Sequence, residues 1–502
     1  MTPESKAGAQ VHPEPRMSET PHEFKRALGL FDGTMLVIGS MIGSGIFIVS
    51  ADIARTVGGG GWLLLVWVVT GLMTVTGALA YGELAGMMPH AGGQYVYLRE
   101  AYNPLIGFLY GWTFFLVIQT GTIAAVGVAF AKFTAVLVPG LGDANVLVEA
   151  GPVRLTAQRL VAILNVAVLT YINTRGIVGG KWIQNTFTAA KTVALIALIA
   201  LGLAAGFSLG IFRENLATFW TAASTRAVDG IASAQPLGGI ALLGAIGVAM
   251  VGSLFSSDAW NNVTFTAGET VDPRRNIPLS LAIGTGAVTV LYILANVAYL
   301  AVLPVTGAPG AADAAGGGIQ FAAADRVATA AMSVIMGPAA VVVMALLIMV
   351  STFGCNNGLI LSGARVYYAM ARDGVFFRSA GRLNARSVPG AALVVQGVWA
   401  CLLCLSGTYG DLLDYVIFAV LLFYVLTVAG IFILRKKRRD AERPYRAFGY
   451  PVLPALYIVA AIAISVDLLI LKPTYTWPGL GIVLIGIPVF YAWKISGPAR
   501  PS

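Results

Sequence analysis

Two short stretches rich in glycine and serine interrupt long apolar segments of the sequence, and they are the leading candidates for a binding site. Residues 39–45 hold three glycines and two serines, although each glycine inside a helix costs about 1 kcal/mol relative to alanine. Residues 252–258 repeat the order of glycine, serine, two apolar residues and small polar residues. We predict that the helices unwind at both stretches and expose main-chain polar groups.

Unwound helix ends suit the charged head of an α-amino acid. The N–H groups of Ser44 and Gly45 would begin a new half-helix, whose positive dipole end and N–H donors favour a carboxylate. The carbonyls of Met41 and Phe255 would end the preceding half-helices and favour an ammonium group. A close crossing of two helices through small residues is the alternative interpretation.

Among the charged residues inside or at the edge of apolar segments, three are candidates for a function, because a charge costs about 2.5–3.5 kcal/mol at the bilayer centre. Lys191 falls in the middle of a segment. It either has a functional role or caps main-chain carbonyls freed in the first span. Asp258 has three interpretations: an anion for cationic side chains, a residue facing water, or a proton carrier. Glu83 either pairs with an arginine as a gate or reaches toward the membrane interface.

The composition is typical of a polytopic membrane protein. Of the 502 residues, 57% are hydrophobic and 11% are charged. Because lipid offers the main chain no hydrogen-bond partners, apolar stretches of 18 or more residues are predicted to be helices. We place twelve spans, at residues 31–57, 61–86, 104–136, 157–174, 186–208, 238–265, 278–304, 331–354, 389–407, 411–435, 451–471 and 476–494.

Lysine and arginine cluster in alternate loops, which predicts that both termini are cytoplasmic. Residues 1–30 lack the pattern of a signal peptide and are expected to form a cytoplasmic tail, and residues 436–450 a basic cytoplasmic loop. The net charge of +9 therefore reflects topology, and no nucleic-acid partner is expected. The outer loop 305–330 is interpreted either as a lid or as a flexible spacer.

Several motifs carry a resemblance along nearly the whole chain, from about residue 30 to residue 495. They include GSMIGSGIF at 39–47, QNTFTAAK at 184–191, WNNVTFTAGE at 260–269 and STFGCNNG at 351–358. Together they resemble the amino acid-polyamine-organocation superfamily and, within it, the L-type amino acid transporters and their bacterial relatives. The resemblance implies an all-α fold of the leucine-transporter type, with inverted five-span repeats in residues 31–208 and 238–435 and two further spans in residues 451–495.

The resemblance also implies roles for particular residues. The main chain around Ser44 and Gly45 would bind the substrate carboxylate, and Phe255 would be an aromatic gate. Lys191 would replace a bound sodium ion between spans 1, 5 and 8. The expected substrate-binding residues are Met41, Ile42, Gly43, Ser44, Gly45, Phe255, Ser256, Asp258, Trp260 and Asn261.

Relatives that pair with a heavy chain carry a cysteine in the loop after span 3. Residues 137–156 contain no cysteine, so no disulfide-linked partner is expected.

These features predict a secondary carrier of α-amino acids in a cell membrane, working by alternating access. We expect neutral substrates and exchange of one amino acid for another; a cationic amino acid or polyamine carrier that uses Asp258, and proton-coupled uptake, are the alternatives. An ion channel would need a ring of filter groups, and an enzyme would need converging acid, base or metal groups. The sequence shows neither pattern, and no catalytic residue, metal or cofactor is expected.

Overall fold

The computed structural model describes residues 24–150, 153–405 and 409–496, which form a bundle of long helices. In this part of the chain, nine helices are long and apolar enough to cross a membrane. Together with the broken span 1 and the helices of spans 4 and 9, they correspond to the twelve predicted spans. Ten spans run without a non-helical break: Gly60–Met87 (span 2), Pro104–Leu137 (span 3), Ala157–Thr174 (span 4), Ile177–Leu209 (span 5), Pro273–Val302 (span 7), Ala339–Arg372 (span 8), Gly390–Leu403 (span 9), Tyr409–Lys437 (span 10), Val452–Leu471 (span 11) and Pro473–Ser496 (span 12).

Spans 1 and 6 are each broken, as the stretches rich in glycine and serine predicted. Span 1 consists of helix 1a (Leu30–Met41), a 3-10 turn (Gly45–Phe47) and helix 1b (Ser50–Val57). Span 6 consists of helix 6a (Gly239–Ser256) and helix 6b (Asn262–Phe265). The break in span 6 therefore begins several residues later than predicted: Gly252 remains helical and packs against Val49, the residue before helix 1b.

Helices at equivalent positions of the two predicted repeats pack against each other. Span 2 contacts span 7, span 3 contacts span 8, and span 4 contacts span 9. Helix 1a contacts spans 5, 7 and 8, and helix 6a contacts helix 1b. These contacts are those expected of intertwined repeats, and they bring the two breaks to the interior of the bundle. The division of the chain into repeats remains a prediction.

The prediction for span 8 is wrong at both boundaries. Residues 331–354 were assigned to one span, whereas the helix Val327–Met336 ends at Gly337, whose φ is +67°, and span 8 begins after Pro338. Hydropathy alone joined two apolar helices across a turn. At the other end, span 8 extends beyond residue 354 to Arg372. Residues 351–358, which include several polar side chains, stay helical and are largely buried within the bundle.

The loops hold two β-hairpins that the all-helical prediction missed. Strand β1 (Val146–Ala150) pairs with β2 (Val153–Thr156), and β3 (Ala223–Val228) pairs with β4 (Ile231–Pro236). The second hairpin turns at Asp229 and Gly230, whose φ values are 51° and 77°, as a two-residue type I′ turn requires. Short helices at Gln94–Ala101, Ile211–Ala217 and Ala314–Gly317 complete the loops.

The two ends of the bundle differ. The end that carries Arg99, Arg435, Arg438 and Arg443 is called the basic end, and the end that carries β3, β4 and the loop after span 7 is called the hairpin end. Helix 1a starts at the basic end; residues 1–23 of the predicted tail lie outside the described part of the chain. The assignment of the basic end to the cytoplasm remains a prediction.

Candidate substrate site

The two helix breaks touch in the interior of the bundle. Gly45 lies directly against helix 6a, since a Cβ added there would lie 2.7 Å from Cβ and 3.1 Å from Cα of Ser256. The Tyr292 hydroxyl of span 7 lies 2.9 Å from the carbonyl of Met41 and 3.1 Å from that of Ser256. Because one hydroxyl carries one proton, it can donate to these two carbonyls only one at a time. The carbonyl ends of helices 1a and 6a therefore converge on one point.

The structure places the predicted main-chain groups close to this point, with one shift along span 6. Ile42, Gly43 and Ser44 are non-helical and buried. Phe255 is the second-last residue of helix 6a, and its carbonyl accepts the N–H of Asp258 at 3.2 Å. The carbonyl that lies beside that of Met41 therefore belongs to Ser256 and not to Phe255.

Lys191 of span 5 binds the break of span 1. Its ammonium donates to the carbonyl of Gly39, to that of Ile42 at 2.6 Å and, in span 8, to that of Ser351 at 3.3 Å. The Ser351 hydroxyl lies 2.9 Å from the carbonyl of Gly43. The side chain of Lys191 is 1% exposed and joins spans 1, 5 and 8, as the resemblance implied. A lysine that replaces a cation and a lysine that caps freed carbonyls would make the same contacts.

Asp258 is buried in the break of span 6. Its carboxylate accepts a hydrogen bond of 2.5 Å from the hydroxyl of Tyr424 in span 10. The residue is only 9% exposed, and each of the three interpretations of its role stays a prediction. Two cavities of about 10 and 20 Å³ are both lined by Asp258 and Tyr424, and each is large enough for about one water molecule. The site is therefore closed at this position.

Trp260 and Asn261 lie just beyond Asp258 and connect the break to neighbouring elements. The ring of Trp260 packs edge-on against Tyr81 of span 2, with ring centroids 4.8 Å apart. The side-chain amide of Asn261 donates to Gln94 at 2.9 Å. Trp260 lines one of the two small cavities and Asn261 the other, whereas residues 41–45 line neither of them.

Glu83 forms a closed contact at the basic end. Its carboxylate accepts hydrogen bonds of 2.9 and 2.7 Å from Arg435 and one of 2.7 Å from the N–H of Ala447. The side chain is 2% exposed, so the alternative that Glu83 reaches toward the membrane interface does not fit. The contact with arginine that a gate requires is present.

A second buried salt bridge, between Glu269 and Arg365, was not anticipated. Both side chains are 1% exposed, and two hydrogen bonds of 2.7 and 2.9 Å join them. The carbonyl of Glu269 also accepts the N–H groups of Ala27 and Leu28. The pair therefore ties the start of span 1 and the end of span 6 to span 8. Both residues lie in or near quoted motifs, and their opposite charges inside apolar surroundings were the available signal.

Replacing Arg365 with methionine is expected to lower the free energy of unfolding by about 3–5 kcal/mol, because Glu269 would keep a buried charge without its partner. Chemical unfolding of the purified protein in detergent measures this change. The matched control is Glu442→Gln, which breaks the exposed pair with Arg274 and is expected to change the free energy of unfolding by less than about 1 kcal/mol. Equal effects of the two substitutions would contradict the structural role of the buried pair.

The hairpin end is closed by contacts between helix 1b and the loop that follows span 7. Arg55 donates to the Asp325 carboxylate and to the Gln320 carbonyl, both at 2.6 Å. The side chain of Gln320 donates back to the carbonyl of Ala54 at 3.1 Å. Because Ile319 and Gln320 are buried, this loop packs on the bundle as a lid would, and the interpretation as a flexible spacer does not fit.

A helical bundle of membrane spans, in which two broken helices meet in the interior, is the architecture of a secondary transporter. Residues 28–490 match the family described as amino acid permease, and the chain belongs to that family. It is 28% identical to the human b(0,+)-type amino acid transporter 1 over 468 residues, which cover 93% of this chain and 87% of that protein. It is 29% identical to the human large neutral amino acids transporter small subunit 2 over 468 residues, which cover 93% of this chain and 80% of that protein. The predictions of a multi-pass membrane protein, an amino acid transporter and a protein that is not an enzyme are confirmed.

Proposed function

We propose that this permease carries neutral α-amino acids by alternating access and binds them where the breaks of spans 1 and 6 meet. The observation that supports this proposal most directly is the convergence of the Met41 and Ser256 carbonyls on the single hydroxyl of Tyr292. An ammonium group offers three donors and would bind both carbonyls at once, which one hydroxyl cannot do.

The carboxylate of the substrate would bind the main chain that follows. Residues 42–44 are non-helical, and a 3-10 turn begins at Gly45, so N–H groups at this point lie at the positive end of the second half of span 1. The contact of Gly45 with Ser256 means that only a residue without a side chain fits here. The main chain would thus bind the zwitterionic head of the substrate, and contacts with the side chain of the substrate would determine selectivity.

The ammonium of Lys191 would supply a tethered positive charge at the break of span 1. It contacts the carbonyls of Gly39, Ile42 and Ser351, which is the kind of ligand set that a bound cation would have. We therefore propose that transport needs no sodium ion. We also propose exchange of amino acids as the transport mode, with the basic end in the cytoplasm.

Alternating access requires contacts that open at one end of the site at a time. At the basic end, these would be the pair of Glu83 and Arg435, and at the hairpin end the pair of Arg55 and Asp325. Both pairs are closed in this structure, and the cavities next to Asp258 are small. This arrangement corresponds to the occluded state of the proposed cycle.

A second candidate function is the transport of cationic amino acids, and the position of Asp258 favours it. The carboxylate is buried beside both small cavities and accepts a hydrogen bond from the Tyr424 hydroxyl. A substrate ammonium or guanidinium would form a stronger, charge-assisted bond with the same oxygen atoms. Because both cavities border on Asp258 and Tyr424, opening the contact between these two side chains would join the two cavities into one.

The two functions are separated by uptake of labelled leucine into proteoliposomes, in competition with unlabelled arginine and lysine. We expect saturable uptake of leucine that neutral amino acids inhibit and that arginine and lysine leave unchanged. Inhibition by arginine at concentrations comparable to those of neutral competitors would favour the cationic carrier instead. Uptake that no amino acid inhibits would contradict the proposed function.

Asp258→Asn is expected to keep leucine uptake within about threefold of the unchanged protein, because asparagine can still accept the hydrogen bond from Tyr424. The matched control is Asp467→Asn, which changes a carboxylate of span 11 that lies against Gly244 and Gly247 of helix 6a, away from the break. Initial rates of leucine and arginine uptake by both variants provide the measurement. Loss of arginine uptake in Asp258→Asn alone would identify the cationic carrier.

A further inference from the structure

A large cavity lies at the hairpin end, away from the helix breaks. Its volume is about 630 Å³, within the range of about 300–1,000 Å³ typical of ligand sites. Exposed residues 310, 312, 313 and 315 form the rim, and the helix Val327–Met336 with the start of span 8 forms the floor. None of the proposed substrate-binding residues lines it. Binding of a ligand in this cavity is therefore independent of the proposed substrate site.

Arg326 brings a positive charge to this cavity. Its Nε donates to the carbonyl of Ala323 at 3.2 Å, and within the described ranges of the chain it forms no salt bridge. The adjacent carboxylate, Asp325, pairs with Arg55 instead. Partial burial lowers the pKa of the Arg326 guanidinium, because burial disfavours the charged form. An anionic group in the cavity would relieve this cost, and the hydroxyls of Thr329 and Ser333 lie in the same lining.

The floor of the cavity is apolar and continues onto the membrane-facing surface of span 8. Val334, Pro338 and Val341 line the cavity. Val342 and Leu346, about one turn and two turns beyond Pro338, are 51% and 50% exposed. Because span 8 is long and apolar enough to cross the bilayer, we expect these exposed apolar side chains to face acyl chains. A ligand that lies along the floor would therefore have an anionic group at Arg326 and hydrocarbon on span 8.

The rim adds a negative charge. Asp313 lines the cavity, is exposed, and uses one carboxylate oxygen to accept the N–H of Gly316 at 2.6 Å. A guanidinium and a carboxylate that line the same cavity are complementary to a headgroup that holds a phosphate and an ammonium. A headgroup with a hydroxyl in place of the ammonium would leave Asp313 without a cationic partner.

We propose that this cavity is a phospholipid site that prefers phosphatidylethanolamine, with the phosphate on Arg326, the ammonium at Asp313 and the acyl chains along span 8. The site would attach the loop that closes the hairpin end to the bilayer.

Native mass spectrometry of the purified protein tests this proposal through titration with phosphatidylethanolamine, with phosphatidylglycerol and with inorganic phosphate. We expect a specific phosphatidylethanolamine adduct whose affinity falls about tenfold in Arg326→Gln and is kept in Arg326→Lys. Arg154→Gln, which changes an exposed arginine of strand β2 outside the cavity, is the matched control and is expected to keep the adduct. Asp313→Asn is expected to remove the preference for phosphatidylethanolamine over phosphatidylglycerol.

Three results would overturn the proposal. The first is an unchanged phosphatidylethanolamine adduct in Arg326→Gln, and the second is an equal loss of the adduct in Arg154→Gln. The third is displacement of the lipid by inorganic phosphate at equal concentration, which would show a site for a free anion. Thermal unfolding of each variant without added lipid establishes that the fold is intact, so that loss of the adduct reports on the cavity itself.

Discussion

Lys191→Met is expected to reduce amino acid uptake by about 100-fold or more, which corresponds to about 2.7 kcal/mol. The substitution removes the donor that serves the carbonyls of Gly39, Ile42 and Ser351. A buried acceptor without its partner costs about 1–3 kcal/mol. The carbonyl of Gly39 would lose the donor of Lys191, whereas that of Ile42 would keep the Ser351 hydroxyl 3.2 Å away. Initial rates of uptake into proteoliposomes, at equal amounts of reconstituted protein, measure the effect.

The matched control is Lys181→Met on the same helix. Lys181 pairs with Asp32 at 2.7 Å and is 29% exposed, so its removal is expected to change uptake by no more than about threefold. Uptake by Lys191→Met within threefold of the unchanged protein would show that the break of span 1 does not need this ammonium. Recovery of uptake in Lys191→Met by sodium would show that the lysine replaces a bound cation.

Gly45→Ala is expected to reduce uptake by about 30-fold, because the new Cβ would lie 2.7 Å from the Cβ of Ser256. The two breaks would have to move apart, and the carbonyls that converge on Tyr292 would separate. Ser256→Gly in the same chain removes Oγ and Cβ of residue 256 and leaves only its Cα at 3.1 Å, so the double variant is expected to recover most of the uptake. Rates for both single variants and the double variant form a double-mutant cycle.

Gly286→Ala is the matched control for this cycle. Gly286 lies in span 7, and a Cβ added there would meet no atom within 4 Å. Uptake is expected to remain within about twofold of the unchanged protein, since alanine also favours a helix more than glycine does. Full activity of Gly45→Ala, or a double variant no better than Gly45→Ala alone, would contradict close contact of the breaks during transport.

The breaks could be predicted from the sequence because their cause is local. Glycines and serines in residues 39–45 disfavour a helix wherever the segment lies, and the structure ends helix 1a at Met41. The same reasoning placed the break of span 6 too early, because residues 252–256 remain helical, with Gly252 packed closely against Val49. The turn of the second hairpin, Asp229 and Gly230, was also available as a local signal. The hairpin was missed because it lies in a loop between two predicted membrane spans.

The partners of the site residues could not be predicted, because they depend on packing between distant helices. Tyr292 lies in an apolar span with no motif of its own, and only the fold brings its hydroxyl to the carbonyls of Met41 and Ser256. Glu269 and Arg365 were both visible as charges near apolar segments, but 96 positions separate them. Composition and hydropathy determine which segments cross the membrane, whereas side-chain contacts between spans decide what each polar residue does.

The most direct measurement is an experimental structure of the protein with leucine bound. We expect the ammonium of leucine within hydrogen-bonding distance of the carbonyls of Met41 and Ser256, and its carboxylate against the N–H groups of residues 43–45. Leucine bound elsewhere, with spans 1 and 6 continuous through residues 42–44 and 257–261, would contradict the proposed site.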